Sequence, residues 1–187
     1  MIKVTRCYGN SNMTPLVRYP KYIVIHYTAG ASSKKGRAKD IAKYFNNPVA
    51  NASADYIVDD KTIVKFNPSI SKYYCWAVGG SKLDTKGGRL YGKCKNSNSI
   101  SIEICSTNDT GKVTKANDTH FSFTDDVIVN AAELTASLMK KWNIPIENVV
   151  RHYDVTGKLC PGIKGWNKES GSESEWKKFI KKVKEVR

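Results

Sequence analysis

Apolar positions along the chain fall into two alternating periods. Tyr22-Ile23-Val24-Ile25-His26-Tyr27 is an unbroken β-branched and aromatic run, the composition of a strand buried on both faces. Ala38, Ile41, Ala42 and Phe45 then recur at helical spacing, and Pro48 ends that element. Tyr56-Ile57-Val58 and Ile63-Val64-Lys65-Phe66 flank Asp59-Asp60-Lys61 and read as a hairpin. Residues 67–98 show no sustained period and read as a long loop region.

Ser99-Ile100-Ser101-Ile102-Glu103-Ile104-Cys105 alternates strictly. Ile100, Ile102 and Ile104 share one face, which leaves Ser101, Glu103 and Cys105 on the other. Val127, Ala131, Leu134 and Leu138 form a helical stripe, and Asn148-Val149-Val150-Arg151-His152 is a short strand. A last helix carries Trp176, Phe179, Ile180 and Val183 on one face and lysines on the other, and Ser172 and Glu175 stand at capping-box spacing before it. Strands interleaved with helices define an α/β chain with a single mixed central β-sheet flanked by helices. With 187 residues and no repeat or linker, residues 1–187 are expected to form one domain.

Composition narrows the class. Thirty-one Lys and Arg against 17 Asp and Glu give +14, a balance that suits polyanionic partners: nucleic acid, anionic lipid or acidic wall polymers. Helix-turn-helix, RNP and zinc-finger patterns are missing and the basic residues are spread out, so nucleic acid is not the expected partner. No apolar run approaches the ~20 residues that span a bilayer, so no membrane partner is expected. Met1-Ile2-Lys3-Val4-Thr5-Arg6 lacks the apolar region of a secretory signal. Cys7, Cys75, Cys94, Cys105 and Cys160 form no CxxC pair and read as mostly free thiols.

Two of the three histidines, His26 and His152, end predicted strands, and strand ends converge on one rim of an α/β sheet. Cys160 follows His152 by eight residues. Two imidazoles and a thiolate make a three-ligand metal set with an open fourth position. Spacing alone leaves that site and three unrelated residues both open. Glu103 reads equally as a general base or as a charge on a solvated strand face, and Lys158 as an electrophilic cation or a surface lysine. Asp154 is read as a loop cap, and His120 as an unpaired surface residue.

Val24-Ile25-His26-Tyr27-Thr28-Ala29-Gly30, Ser101-Ile102-Glu103-Ile104, Arg151-His152-Tyr153-Asp154 and Lys158-Leu159-Cys160-Pro161-Gly162 together resemble the zinc-dependent N-acetylmuramoyl-L-alanine amidases of phage endolysins. The resemblance spans residues 20–165 and implies a peptidoglycan-recognition-protein-like amidase fold. It implies one Zn2+ held by His26, His152 and Cys160, with Glu103 as catalytic carboxylate and Lys158 as auxiliary cation. Tyr73, Tyr74 and Trp76 are candidate substrate contacts. The chain departs from relatives at Ala54 and Asp55, and at Ala77, positions that lie around the substrate cleft in the family. The expected partner is bacterial peptidoglycan, with anionic wall polymers beside it, met by a monomer made in a host cytoplasm and released to the wall. A non-catalytic peptidoglycan-binding module of the same fold is the alternative, and the presence of Cys160 argues against it.

Overall fold

The computed structural model describes residues 3–30, 34–79, 87–112 and 115–186. In chain order the elements are β1 (Val4–Arg6), β2 (Met13–Pro15), β3 (Tyr22–Tyr27), α1 (Ala38–Phe45), β4 (Tyr56–Val58), β5 (Ile63–Lys65) and β6 (Tyr73–Cys75). They continue with β7 (Ser99–Ile104), β8 (Thr107–Asn108), β9 (Phe121–Ser122), α2 (Asp125–Trp142), β10 (Val149–Arg151), α3 (His152–Thr156) and α4 (Ser174–Glu185). The main sheet has the order β1-β5-β4-β7-β3-β10. All its pairings are parallel except the predicted β4–β5 hairpin. The architecture expected from the sequence, a mixed sheet flanked by helices, is the one observed.

Both sheet faces are covered, as parallel strands require. Ile23, Ile25, Ile100, Ile102 and Ile104 pack toward α2 through Ala131, Leu134 and Leu138, and α4 adds Phe179 and Val183. The opposite face is smaller. Ile57 and Val64 meet Ala38, Ala42 and Phe45 of α1, and Val24 and Val150 meet Val78 and Val155. The period-2 alternation of β7 therefore sorts residues between two interiors, and Glu103 stands on the face that carries α1 and α3.

Three local readings need correction. The stretch read as loop contains β6, paired antiparallel with β2, and a short 3-10 turn at Asn96–Asn98; its residues 80–86 lie outside those described. His152 does not end a strand but opens α3 directly after β10. The capping box at Ser172 and Glu175 does not form. Glu173 is held by Arg151 at 2.7 Å, the helix starts at Ser174, and the Gly165 carbonyl accepts from the Glu175 and Trp176 N–H groups at 2.9 and 3.1 Å. Those free N–H groups are satisfied by backbone rather than by a serine side chain.

The interior also holds a charge pair. Arg18 is 3% exposed and Asp55 1%. The Arg18 guanidinium donates to the carbonyls of Ile70 and Tyr73, both at 2.7 Å, to that of Ser99, and to Asp55 at 3.0 Å. Asp55 also accepts from Asn67 at 2.6 Å and from the Ser101 N–H at 2.7 Å. Burial raises the Asp55 pKa, opposed by Arg18 and by these hydrogen bonds. Ala54 and Asp55, placed by family likeness near the substrate cleft, are thus buried, and Asp55 ties the β2–β6 ribbon to β7. Removing one partner strands a buried charge, which costs about 3–5 kcal/mol. Asp55→Ala should lose that much in urea unfolding of the metal-free chain; a midpoint and slope equal to the parent's would show the pair to be structurally idle.

Candidate active site and metal centre

Parallel pairing sets His26, on β3, opposite Glu103, on β7. β10 pairs with the other edge of β3 and stops at Arg151 opposite Ile25, so His152 turns into α3 beside His26. The two imidazole centroids lie 4.7 Å apart at 65°. Gly157, in the left-handed conformation at φ 78°, ends α3 and returns the chain. Cys160 then sits with Sγ 3.7 Å from His26 Nδ1. Ligating atoms of His26, His152 and Cys160 all lie within 4.8 Å of one another, and all three residues are buried. The sequence-predicted triad is therefore assembled.

The residues fit a metal ion. His26 Nε2 and His152 Nε2 are buried and have no hydrogen-bond partner, although buried polar atoms are nearly always paired. Burial pushes the His26 pKa well below its ordinary value, with smaller contributions from His152 and Lys158. His152 falls to about 3, chiefly by burial and then by Lys158, while a hydrogen bond to the Val78 backbone opposes this. Both rings are neutral at pH 7, the form that ligates metals. Burial, followed by the Glu103 charge, raises the Cys160 thiol to about 12. Ligation would demand the thiolate, so metal uptake would release a proton.

Surrounding groups hold these side chains in place. The Tyr153 N–H donates to the Cys160 carbonyl at 2.9 Å. Tyr27, which was not singled out from the sequence, supports Cys160 twice. Its backbone N–H bonds the sulfur, and its hydroxyl donates to the Ala116 carbonyl while accepting from the Gly162 N–H. Gly162 is required there, because a side chain would overlap the Ala116 carbonyl oxygen. Among the described residues Asp154 forms no hydrogen bond with either histidine. It accepts from the Arg151 N–H at 2.8 Å and from the Arg151 guanidinium at 2.9 and 2.8 Å, capping α3.

An open cleft of about 370 Å3 adjoins the centre, lined by Trp76, Ala77, Val78, His152, Thr156 and Lys158 among others. Lys158 is exposed, and its charge acts on both histidines, Glu103 and Cys160. Trp76 is 38% exposed and its indole N–H donates to Thr14 Oγ1 at 2.9 Å. Tyr73 and Tyr74 are half-buried on β6 and do not line this cleft. Asn96 shapes the wall by accepting from the Ala77 and Val78 N–H groups at 3.1 and 2.7 Å; as an asparagine in an unpatterned stretch it gave no sequence signal. His120, read as unpaired, bonds Asp109 at 2.8 Å on the surface. All five cysteines are free.

Two buried imidazoles and a buried thiol thus stand beside a half-buried carboxylate at one rim of the mixed sheet, a set that could hold a metal ion. The N-acetylmuramoyl-L-alanine amidase family model matches residues 16–163, and the chain belongs to that family. It is 33% identical over 161 residues to the N-acetylmuramoyl-L-alanine amidase CwlH of Bacillus subtilis (strain 168), a match covering 85% of this chain and 55% of CwlH. The chain spans about half the length of the curated relatives it matches. A mutant endolysin from Bacillus subtilis superposes with TM-score 0.70 at 27% identity, covering 98% of this chain and 99% of that one. The catalytic domain of XlyA does so with TM-score 0.70 at 26% identity, covering 97% and 99%.

Glu103 makes the site's electrostatics testable. Burial raises its pKa to about 7, and Lys158 limits the rise. Below about pH 4.5 the carboxyl is neutral in both folded and unfolded chains. As pH rises toward 7 the unfolded chain ionises first, so this group's contribution to stability is lost, by about 3 kcal/mol in all. The neutral histidines act oppositely, costing stability as pH falls below about 6.5. In the metal-free protein, Glu103→Gln should therefore gain stability over the parent between pH ~4.5 and ~7 in denaturant titrations; a pH-independent difference would contradict the dehydrated carboxylate.

Proposed function

We propose that this chain hydrolyses the amide bond between N-acetylmuramic acid and L-alanine in bacterial peptidoglycan, with one Zn2+ held by His26, His152 and Cys160, as part of a phage or prophage endolysin. The observation that carries the reading is the convergence of one ligating atom each from buried His26, His152 and Cys160 within 4.8 Å, beside Glu103. Soft thiolate with imidazole suits zinc, and three protein ligands are the number found in catalytic rather than structural sites. Bound zinc supplies Lewis acidity and lowers the pKa of water to about 7.

The chain's own residues do the rest. The Glu103 carboxylate accepts a proton from the attacking water and delivers one to the departing alanine nitrogen, a two-way role suited to a group poised near pH 7. Lys158, projecting into the cleft, places an ammonium where negative charge develops on the amide oxygen. Trp76 offers its exposed ring to sugar or peptide, with Tyr73 and Tyr74 behind it on β6. No helix among the described residues is long and apolar enough to cross a membrane. The chain is made in the host cytoplasm and acts on the wall after release. The enzyme works as a monomer on peptidoglycan, with anionic wall polymers as secondary partners.

Digestion of purified walls tests this. New amino termini should appear at L-alanine without new reducing ends. Glu103→Ala should keep its fold and metal while turnover falls by about 10²-fold or more, and Lys158→Ala should lose less. New reducing ends in place of amino termini, or parental turnover in Glu103→Ala, would overturn the assignment.

A further inference from the structure

α3 is a partition between two concavities. His152, Thr156 and Lys158 line the cleft at the metal centre. Tyr153, Asp154 and Gly157 line a separate groove of about 900 Å3 that extends to the first turns of α4. Gly88 also lines it: its N–H donates to the Val155 carbonyl at 3.1 Å, and any side chain there would overlap the Asp154 carbonyl oxygen.

Floor and rim differ in chemistry. On the floor, the Arg151 guanidinium is 5% exposed and faces the rings of Tyr153 at 5.4 Å and Trp176 at 5.2 Å. Two carboxylates face it, Asp154 at 2.8 Å and Glu173 at 2.7 Å, so the floor is aromatic and keeps one negative charge in excess, and the positive charge lies on the rim. The rim carries Arg89, Lys168 and Lys177. Arg89 is 62% exposed, and its carboxylate neighbour, Asp154 at 3.6 Å, is already engaged by Arg151. Lys168 and Lys177 are exposed and form no ion pair among the described residues. Opposing them is Glu169, 3.5 Å from the Tyr153 hydroxyl. By contrast, Lys178 and Lys181 further along α4 are paired with Glu175 and Glu185.

We propose that this groove binds an anionic polymer of sugar or polyol units joined through phosphate. The Tyr153 and Trp176 rings offer apolar contact to the carbons of a polyol chain, and exposed rim cations suit phosphates spaced along it. A neutral glycan would leave Lys168 and Lys177 without partners. A nucleic acid would need open ring faces for base stacking, and the Trp176 ring already meets the Arg151 guanidinium at 5.2 Å and stacks on Phe179 at 5.6 Å. Phosphate-rich polymer is a wall component, so its presence beside the substrate rests on the amidase reading above. The groove's anion chemistry does not.

Equilibrium binding of soluble poly(glycerol phosphate) to the metal-loaded chain tests the site. Arg89→Gln/Lys168→Gln/Lys177→Gln should bind about tenfold more weakly at low salt, the sum expected of a few exposed charge contacts. Lys39→Gln/Lys112→Gln/Lys140→Gln changes net charge equally at exposed positions that do not line the groove and should change binding less than about twofold. Circular dichroism and melting temperature, matched to the parent, exclude misfolding. Equal losses in both triples would overturn the groove and leave only diffuse attraction by the +14 chain. Equal affinity for a neutral N-acetylglucosamine oligomer, for free inorganic phosphate or for a single-stranded oligonucleotide would overturn the ligand class. Binding is read without turnover, so an inactive enzyme would sink the amidase reading and leave this result standing.

Discussion

Parallel pairing of β3 between β7 and β10 is the constraint on which the rest depends. Register with β7 places His26 opposite Glu103. Register with β10, which ends at Arg151, places the first residue of α3 against His26. A slip of one residue in either pairing would turn a chemical side chain to the other face. Ile23, Ile25, Ile100, Ile102 and Ile104 resist that slip, since all are fully buried against the α2 layer. Hydrophobic burial on one face of the sheet thus fixes the chemistry on the other.

The chemistry carries a cost in polar burial. Two imidazole nitrogens stand dehydrated and partnerless, a thiol is held in the protonated state that ligation would have to reverse, and a carboxyl is raised to about 7. Such frustration, concentrated at one rim while the Arg18–Asp55 pair is fully hydrogen-bonded elsewhere, marks a site that a cation would relieve. The supports around it are backbone groups and buried polar residues: the Tyr27 hydroxyl, the Cys160 carbonyl and the Arg151–Asp154 cap. They lie at the ends of β3 and β10, in α3 and in the turn that follows it, and so depend on the sheet holding its register.

The parts legible in the sequence were those written as periodicity. β3 and β7 show as β-branched runs, α2 as a stripe, and both histidines fall at or just beyond strand ends. β1 and β2 have three residues each, too short to show a period. Arg18 and Asp55 were opaque because charged residues in a chain this basic read as surface, and their burial follows from pairing across 37 positions. Ser172 and Glu175 had the right spacing for a cap, yet the Gly165 carbonyl satisfied those N–H groups and Glu173 turned to Arg151 instead. Contacts distant in sequence decided each of these outcomes, which is why local pattern could not show them.

The central claim is that His26, His152 and Cys160 act as one metal-binding unit. Reconstitution of the chelator-treated chain with Co2+ tests it directly, because a thiolate ligand adds an intense near-ultraviolet charge-transfer band to the visible spectrum of tetrahedral cobalt. The parent is expected to take up one ion per chain with that band, releasing protons as it binds, and Cys160→Ser to lose both the band and most of the affinity. An unchanged band and unchanged stoichiometry in Cys160→Ser would contradict the metal centre.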